Sequence, residues 1–354
     1  MKVLVASHSY SGNGAAVMLL AVLAHWIRDL GWTVDVLLEL ERDVPNDLAN
    51  IGANIFNTAV PENYDFALVN TIVSSHFLEM LGSRIPTVLW AHEGETVLWN
   101  SRMSAAQWRD LFRLPKRIIF QGPWQSETLF RSFIFGLPPG TVSCVRNGMP
   151  AIPENLVARR RTKGKARVIF VGGVYGRKRP QDLVDAVLAL GRDDLECLFV
   201  GPLESIDTIG SEHVEKIRSR PDCFQLLGEL DRKNGLEYVL SADVFCLPSS
   251  DESQPIAPLE AAALGIPCLL TDLPPYRGTW THDDNSLLSP VGDVARLREN
   301  LRTLLTDSAV RERVVAGGRS LAEQHSIGAF FRRFDAEMPA ATSHPRDRPS
   351  SAQS

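Results

Sequence analysis

The chain has 354 residues, 44% hydrophobic and 22% charged, with a formal net charge of −5. That length accommodates two domains with separate cores, and the mild negative charge argues against nucleic acid as a main partner. No apolar run approaches the roughly 18 residues that a bilayer span requires, so no transmembrane segment is expected.

Apolar strand-like runs alternate with helical patterns from end to end, as in parallel α/β sheets. The start, Met1-Lys-Val-Leu-Val-Ala, reads as a strand rather than a signal peptide. After the strand Lys2–Ala6, a helix carries Val17, Leu20, Ala21, Leu23, Ala24, Ile27 and Leu30 near helical period, and Gly31 ends it. Further strands are predicted at Trp32–Leu38, Phe66–Asn70, Thr87–Ala91, Arg117–Gln121 and Val142–Val145. The second half restarts at Arg167–Gly172 and continues through Glu196–Gly201, Phe224–Leu227, Val244–Leu247 and Cys268–Thr271.

Between the halves, Ile152–Ala166 holds Pro153 and the start of the basic cluster Arg159, Arg160, Arg161, Lys163, Lys165 and Arg167. It reads as a solvated linker, with contact to an anionic membrane surface as the alternative. The boundaries are therefore 1–150 for the first domain, 151–166 for a basic hinge and 167–325 for the second domain. A C-terminal helix at 326–338 and a disordered tail at 339–354 complete the chain. Of five cysteines, Cys197, Cys246 and Cys268 lie in apolar runs, and no Cys-x-x-Cys pair occurs. They read as free thiols in a reducing compartment, which implies a cytoplasmic setting.

Two segments carry chemistry. In Pro248-Ser-Ser-Asp-Glu-Ser-Gln-Pro-Ile-Ala-Pro-Leu-Glu, Glu252 sits in a loop after a buried strand and Glu260 on an early turn of the next helix. The carboxyl edge of an open α/β sheet is where ligands bind, and carboxylates there accept hydroxyl hydrogen bonds from a ribose or hexose. In Val168-Ile-Phe-Val-Gly-Gly-Val-Tyr-Gly-Arg-Lys-Arg-Pro, a strand runs into a glycine turn, then Arg177, Lys178 and Arg179, then a helix with Pro180 near its first position. Glycines permit close backbone approach, and cations at a helix start suit a diphosphate.

These segments resemble the Glu-x7-Glu motif and the phosphate turn of the retaining GT-B glycosyltransferases, in particular the family 4 group. The resemblance covers nearly all of residues 167–325 and residues 1–150 only loosely. It implies an α/β GT-B fold, two Rossmann-like domains with parallel sheets facing across a cleft. The C-terminal helix would pack back on the first domain. It also implies a retaining transfer of a sugar from a nucleotide-diphosphate donor, UDP- or GDP-linked, to a hydroxyl acceptor.

The acceptor would be a glycan, a lipid-linked molecule or a small molecule. The donor is a substrate, so no cofactor is expected. No metal is expected either, since no Asp-x-Asp pair and no Cys/His ligand set occurs. Peripheral contact with the inner membrane face stays compatible with this reading.

By resemblance, Glu252 contacts the transferred sugar, Glu260 the ribose hydroxyls and Lys178 the phosphates. The family's phosphate arginine falls on Gly173 here, and Arg177 or Arg179 is the candidate substitute. Gln254 and Ile256 lie in the loop that faces the donor, although Pro255 between them lacks an N–H. Leu230, after the Gly228 turn, would meet the base. Gly228, Asp243 and Asp293 also read as structural turn and cap residues.

On the acceptor side, Gly12, Asn13 and Gly14 form a glycine-rich loop, and Asn147 ends the first domain. His92 follows a strand where it could bind hydroxyls, and Glu93 offers an acceptor-activating base. The rival dinucleotide fingerprint needs a small residue where Val17 stands, although Glu39 could serve as its ribose acid. An NAD-dependent oxidoreductase and an inert nucleotide-sugar-binding protein remain the alternatives.

Overall fold

The computed structural model describes residues 1–10, 14–38 and 46–339, the Trp99 side chain excepted. Gly12, Asn13, Glu39 and all of the tail beyond residue 339 lie outside the described residues. Two all-parallel sheets account for the strands. In the first half these are β1 (Lys2–Ser7), β2 (Thr33–Leu37), β3 (Asn54–Phe56), β4 (Phe66–Asn70), β5 (Thr87–Ala91), β6 (Arg117–Phe120) and β7 (Val142–Cys144). They order as β3-β2-β1-β4-β5-β6-β7. In the second half β8 (Ala166–Val171), β9 (Leu195–Val200), β10 (Phe224–Gly228), β11 (Val244–Leu247), β12 (Cys268–Thr271) and β13 (Leu287–Ser289) order as β10-β9-β8-β11-β12-β13. This is the GT-B frame of two Rossmann-like domains.

Every residue of β4, β5, β9, β11 and β12 is buried, because helices cover both faces of each sheet. The strand order reverses between β1 and β4, and again between β8 and β11. At such a switch point the outgoing loops diverge to opposite faces and leave a crevice at the carboxyl edge. Trp26, Phe66 and Trp90 anchor the first core, and Ile256 of the second half packs into it. Among the described residues no helix is long and apolar enough to cross a membrane.

The helix Ile327–Asp335 returns to the first domain, where Phe330 and Phe334 are fully buried. Its end is pinned by Asp335, which accepts from Trp26 Nε1 at 2.9 Å and pairs with His25 at 3.0 Å. His25 also meets Asp29 at 2.7 Å and stacks on Phe331. Burial alone would lower the His25 pKa, but its hydrogen bonds to Asp29 and Asp335 outweigh burial and raise it.

A raised folded-state pKa stabilises fully below the ordinary histidine value, and the contribution is lost as pH rises through the raised one. The melting temperature of the wild type is therefore expected to exceed that of His25→Gln at mildly acidic pH, with the gap closing on alkalinisation. A gap independent of pH would exclude a protonated pin.

The basic segment between the domains is largely paired rather than solvated. Arg159 meets Glu237 at 2.8 Å and Arg161 pairs with Asp243. Arg167, only 4% exposed, binds Glu196 at 2.7 Å. Residues 159–167 are thereby strapped to the second domain, leaving Arg160 and Lys163 exposed. The solvated-linker expectation fails for this half because the second domain supplies an acid for each of these three arginines.

Candidate functional site at the domain cleft

The glycine turn after β8 places Lys178 against the loop after β11. Lys178 Nζ pairs with Glu252 Oε1, which also accepts from Ser249 Oγ at 2.8 Å. Glu252 is only 6% exposed and Ser249 is fully buried. Arg177 approaches the other Glu252 oxygen at 4.0 Å and donates to the Asp251 carbonyl at 2.6 Å. Two cations and one carboxylate thus converge at the switch point. The helix Pro180–Ala189 then leaves on one sheet face and Ala257–Ala263 on the other.

The structure separates the two candidate arginines. Arg177 rests on the Tyr175 ring, its guanidinium 5.5 Å from the centroid, and donates to the Tyr175 hydroxyl at 2.8 Å. A Cβ at Gly173 would stand 2.3 Å from that ring, so Tyr175 occupies the space a side chain at 173 would need. Arg179 instead adopts a left-handed backbone (φ 50°) and grips Asp182 with two bonds of 2.6 and 2.9 Å. Its charge is spent at the helix start, away from Glu252.

Glu260 accepts from Arg232 Nε at 2.8 Å. The other nitrogens of that guanidinium donate to the Ala151 and Pro150 carbonyls, each at 3.0 Å, where the chain passes between the domains. Burial pushes the Glu260 pKa up, against the lowering effect of Arg232. Sequence reasoning missed Arg232, yet a signal existed. It opens the helix Arg232–Leu240, where the helix dipole disfavours a cation, behind the N-cap Asp231. Gly228 takes a positive φ of 70° at the end of β10, and Leu230 follows it half-buried. Asp293 caps the helix Val294–Thr306, and Asp243 accepts from the Arg167 amide, both structural tasks.

Across the cleft, Asp251 caps the helix Glu95–Asn100 of the first domain, accepting from the Thr96 amide at 2.9 Å and its hydroxyl at 2.6 Å. A Cβ at Gly94 would meet Asp251 at 2.2 Å, so only glycine admits this cap. Ser253 Oγ donates to the His92 carbonyl. Gln254 accepts from the Asn147 amide at 2.6 Å. Asn147 therefore latches the loop after β11. Gly14 opens the first helix, and Ile256 would lie 3.9 Å from a Cβ placed on it.

His92 and Glu93 are committed to the protein itself. His92 Nε2 meets Asn70 Oδ1 at 2.9 Å and Nδ1 meets Gln121 Nε2 at 2.6 Å. Burial, assisted by His8, pushes its pKa down to about 3, so the ring stays neutral. Neither ring nitrogen is left for a sugar hydroxyl, in contrast to the sequence expectation. Glu93 accepts from the Ile72 amide at 2.8 Å and the His92 amide at 2.9 Å, and burial raises its pKa. It fastens the loop after β4 to the loop after β5, because its carboxylate lies where those amides are otherwise unpaired.

Of the first-domain aromatics, Trp108 and Phe130 are core, whereas Phe135 is 82% exposed. Cys197, Cys246 and Cys268 are buried free thiols. Among the described residues no group of three or more His, Cys, Asp or Glu is arranged to hold a metal ion.

Residues 152–321 match the family described as Glycosyl transferases group 1. A phosphatidyl-myo-inositol mannosyltransferase of Mycobacterium leprae (strain TN) is 32% identical over 166 residues, covering 45% of this chain and 42% of that protein. A glycogen synthase of Mycobacterium tuberculosis (strain CDC 1551 / Oshkosh) is 26% identical over 191 residues, covering 52% of this chain and 45% of that protein. The chain thus spans less than half the length of these two relatives.

Among solved structures, Anabaena Alr3699/HepE in complex with UDP and glucose has a TM-score of 0.77 at 16% identity, covering 95% of this chain and 98% of that one. WaaG, a glycosyltransferase involved in lipopolysaccharide biosynthesis, has a TM-score of 0.68 at 15% identity, covering 96% of this chain and 100% of that one. At such identities the likeness is one of fold.

Proposed function

Because the chain carries a Glycosyl transferases group 1 domain within a GT-B frame, we propose that it transfers a sugar from a nucleotide diphosphate to an acceptor hydroxyl with retention of configuration. The observation that carries this reading is the convergence of Lys178, Arg177 and Glu252 at the switch point, with Glu260 on the next helix. The bond from the anomeric carbon to the diphosphate breaks and a bond to the acceptor oxygen forms. The products are a glycosylated acceptor, a nucleoside diphosphate and a proton.

Lys178 and Arg177 neutralise the departing diphosphate. Glu252, released from Lys178 by the incoming phosphates, accepts from sugar hydroxyls, and Glu260 accepts from the ribose. His92 and Glu93 act as positioning residues for the loop that holds the acceptor. Alr3699/HepE, a fold neighbour holding UDP and glucose, supports a nucleotide-sugar donor. The mannosyltransferase and glycogen synthase relatives support a role in glycan or glycolipid synthesis. A cytoplasmic setting belongs to the same proposal, supported by the buried free thiols.

Titration calorimetry with UDP, GDP, ADP and NAD tests the donor class. Binding of NAD alone would sink the transferase reading, and a donor panel read by mass spectrometry identifies the sugar. Since the two cations supply the charge, EDTA is expected to leave the rate unchanged.

Arg177→Ala is expected to lower kcat by about ten-fold or more. Arg179→Ala is expected to keep kcat within about two-fold and chiefly to lower Tm, since its Asp182 pair lies off the site. Equal effects of the two substitutions on kcat would show that neither arginine has the assigned place.

A further inference from the structure

Glu252 belongs to a loop that the first domain grips on both sides of it. On one side, Asp251 accepts from the Glu95 amide at 3.2 Å, the Thr96 amide at 2.9 Å and the Thr96 hydroxyl at 2.6 Å. On the other, Ser253 Oγ donates to the His92 carbonyl, and Gln254 Oε1 accepts from the Asn147 amide at 2.6 Å. Ile256 then packs into the first core. Between these holds, the Glu252 side chain turns back to its own domain, where Lys178 meets it.

Asp251 is the junction of this network. Its carboxylate serves the first domain, while its carbonyl accepts from Arg177 at 2.6 Å. Its neighbours bind the same turn. Ser250 donates to the Arg177 carbonyl through its amide at 2.9 Å and its hydroxyl at 3.0 Å, and Glu252 takes Lys178. The two cations are therefore held by a three-residue stretch whose outer anchor lies on the other domain. That anchor also serves the helix Glu95–Asn100. Its N-cap, Gly94, has no side chain to meet the first amides, so Asp251 supplies the cap from across the cleft. A carboxylate on such amides forms charge-assisted bonds, stronger than those between neutral groups.

We propose that Asp251 is a positioning residue that couples docking of the first domain to the arrangement of Arg177, Lys178 and Glu252. The inference rests on the transferase reading above and adds that the acceptor-side domain tunes affinity for the donor. Docking caps the helix, fixes Asp251 and so holds the cations where the diphosphate binds. Opening the cleft strips the Asp251 carboxylate of its donors, and the loop loses its outer anchor. By linkage, nucleotide tightens the clasp by the factor with which the clasp tightens nucleotide binding.

Two variants break the clasp from opposite domains without touching the cations. Asp251→Ala removes the carboxylate. Gly94→Ala puts a Cβ where that carboxylate sits, and the extended backbone at Gly94 (φ −92°) suits alanine. Calorimetry uses whichever of UDP, GDP and ADP binds the wild type. Each variant is expected to raise its Kd about five-fold or more. The double variant is expected to match the single ones, because both changes remove one contact. Hydrogen exchange of residues 94–100, read by mass spectrometry, reports the clasp itself. Exchange is expected to be about ten-fold faster in either variant than in the wild type, and nucleotide is expected to slow it in the wild type only.

Should Asp251→Ala fail to fold, Gly94→Ala leaves Asp251 in the chain, and Thr96→Val removes one of its three donors for an intermediate rise in Kd. An unchanged or lowered Kd in Gly94→Ala, additive effects in the double variant, or wild-type exchange indifferent to nucleotide would each overturn the proposal. The wild-type titrations report separately. Nucleotide binding that both variants retain in full removes only the coupling, whereas a wild type that binds none of the three nucleotides removes the transferase reading and the coupling with it.

Discussion

Lys178→Ala is expected to lower kcat for sugar transfer by about two to three orders of magnitude, with a smaller change in KM. On the proposed mechanism the ammonium faces the leaving diphosphate, and a cation in a water-poor crevice acts mainly on the transition state. Its side chain is only 13% exposed, so solvent screens it little. The substitution also leaves Glu252 buried beside a single, more distant cation, Arg177 at 4.0 Å. A stability loss of about 1–3 kcal/mol should accompany the kinetic one.

Combining Lys178→Ala with Glu252→Gln separates the two effects. The double variant should recover stability, because no buried charge is stranded, and recover none of the rate. Nucleotide release under saturating donor gives kcat, and thermal unfolding gives stability. A Lys178→Ala enzyme within about three-fold of wild type would remove the lysine from the chemistry.

Arg232→Ala is expected to weaken nucleotide binding by about ten- to a hundred-fold, although Arg232 itself is given no contact with the ligand. Burial raises the Glu260 pKa, and Arg232 is the group that works to keep it ionised. Two ribose hydroxyls need two acceptor oxygens, and a protonated carboxyl offers one fewer. Wild-type affinity should therefore decline on acidification at a pH above the ordinary carboxylate range, and in Arg232→Ala the decline should move higher still.

Stability linked to the same group runs the opposite way. A carboxyl with a raised folded-state pKa contributes most below its unfolded value, and the contribution is lost as pH rises through the folded one. UDP and GDP titrations from about pH 5 to about pH 8 distinguish the effects. An unchanged Kd with an unshifted profile would show that the arginine only ties the interdomain strand at Pro150 and Ala151.

The sequence alone located most of the architecture and the sheet edge at which Lys178 and Glu252 meet. β4, β5, β11 and β12 match their expected bounds because buried parallel strands are short apolar runs between sharp turn signals. β3 and β13, three residues each, were not picked out. Glu252, Lys178 and Glu260 were found through local grammar, a strand, a glycine or serine turn and a helix start, which a contiguous segment contains in full. The presence of a glycine at 173 was visible too, but not the Tyr175 ring that requires it.

Pairing was decided only in three dimensions. In sequence Arg177 and Arg179 are equivalent cations. A left-handed residue and a fork to Asp182 withdraw one, while Tyr175 props the other beside Glu252. His92 looked available until β4 and the end of β6 brought Asn70 and Gln121 to its two nitrogens. Arg232 reaches Glu260 from 28 positions earlier in the chain, and Arg146 reaches the second domain from the end of the first. Strand and turn preferences act over a few neighbouring residues and so are written locally. The partner, burial and charge state of a side chain depend on segments that only folding brings together.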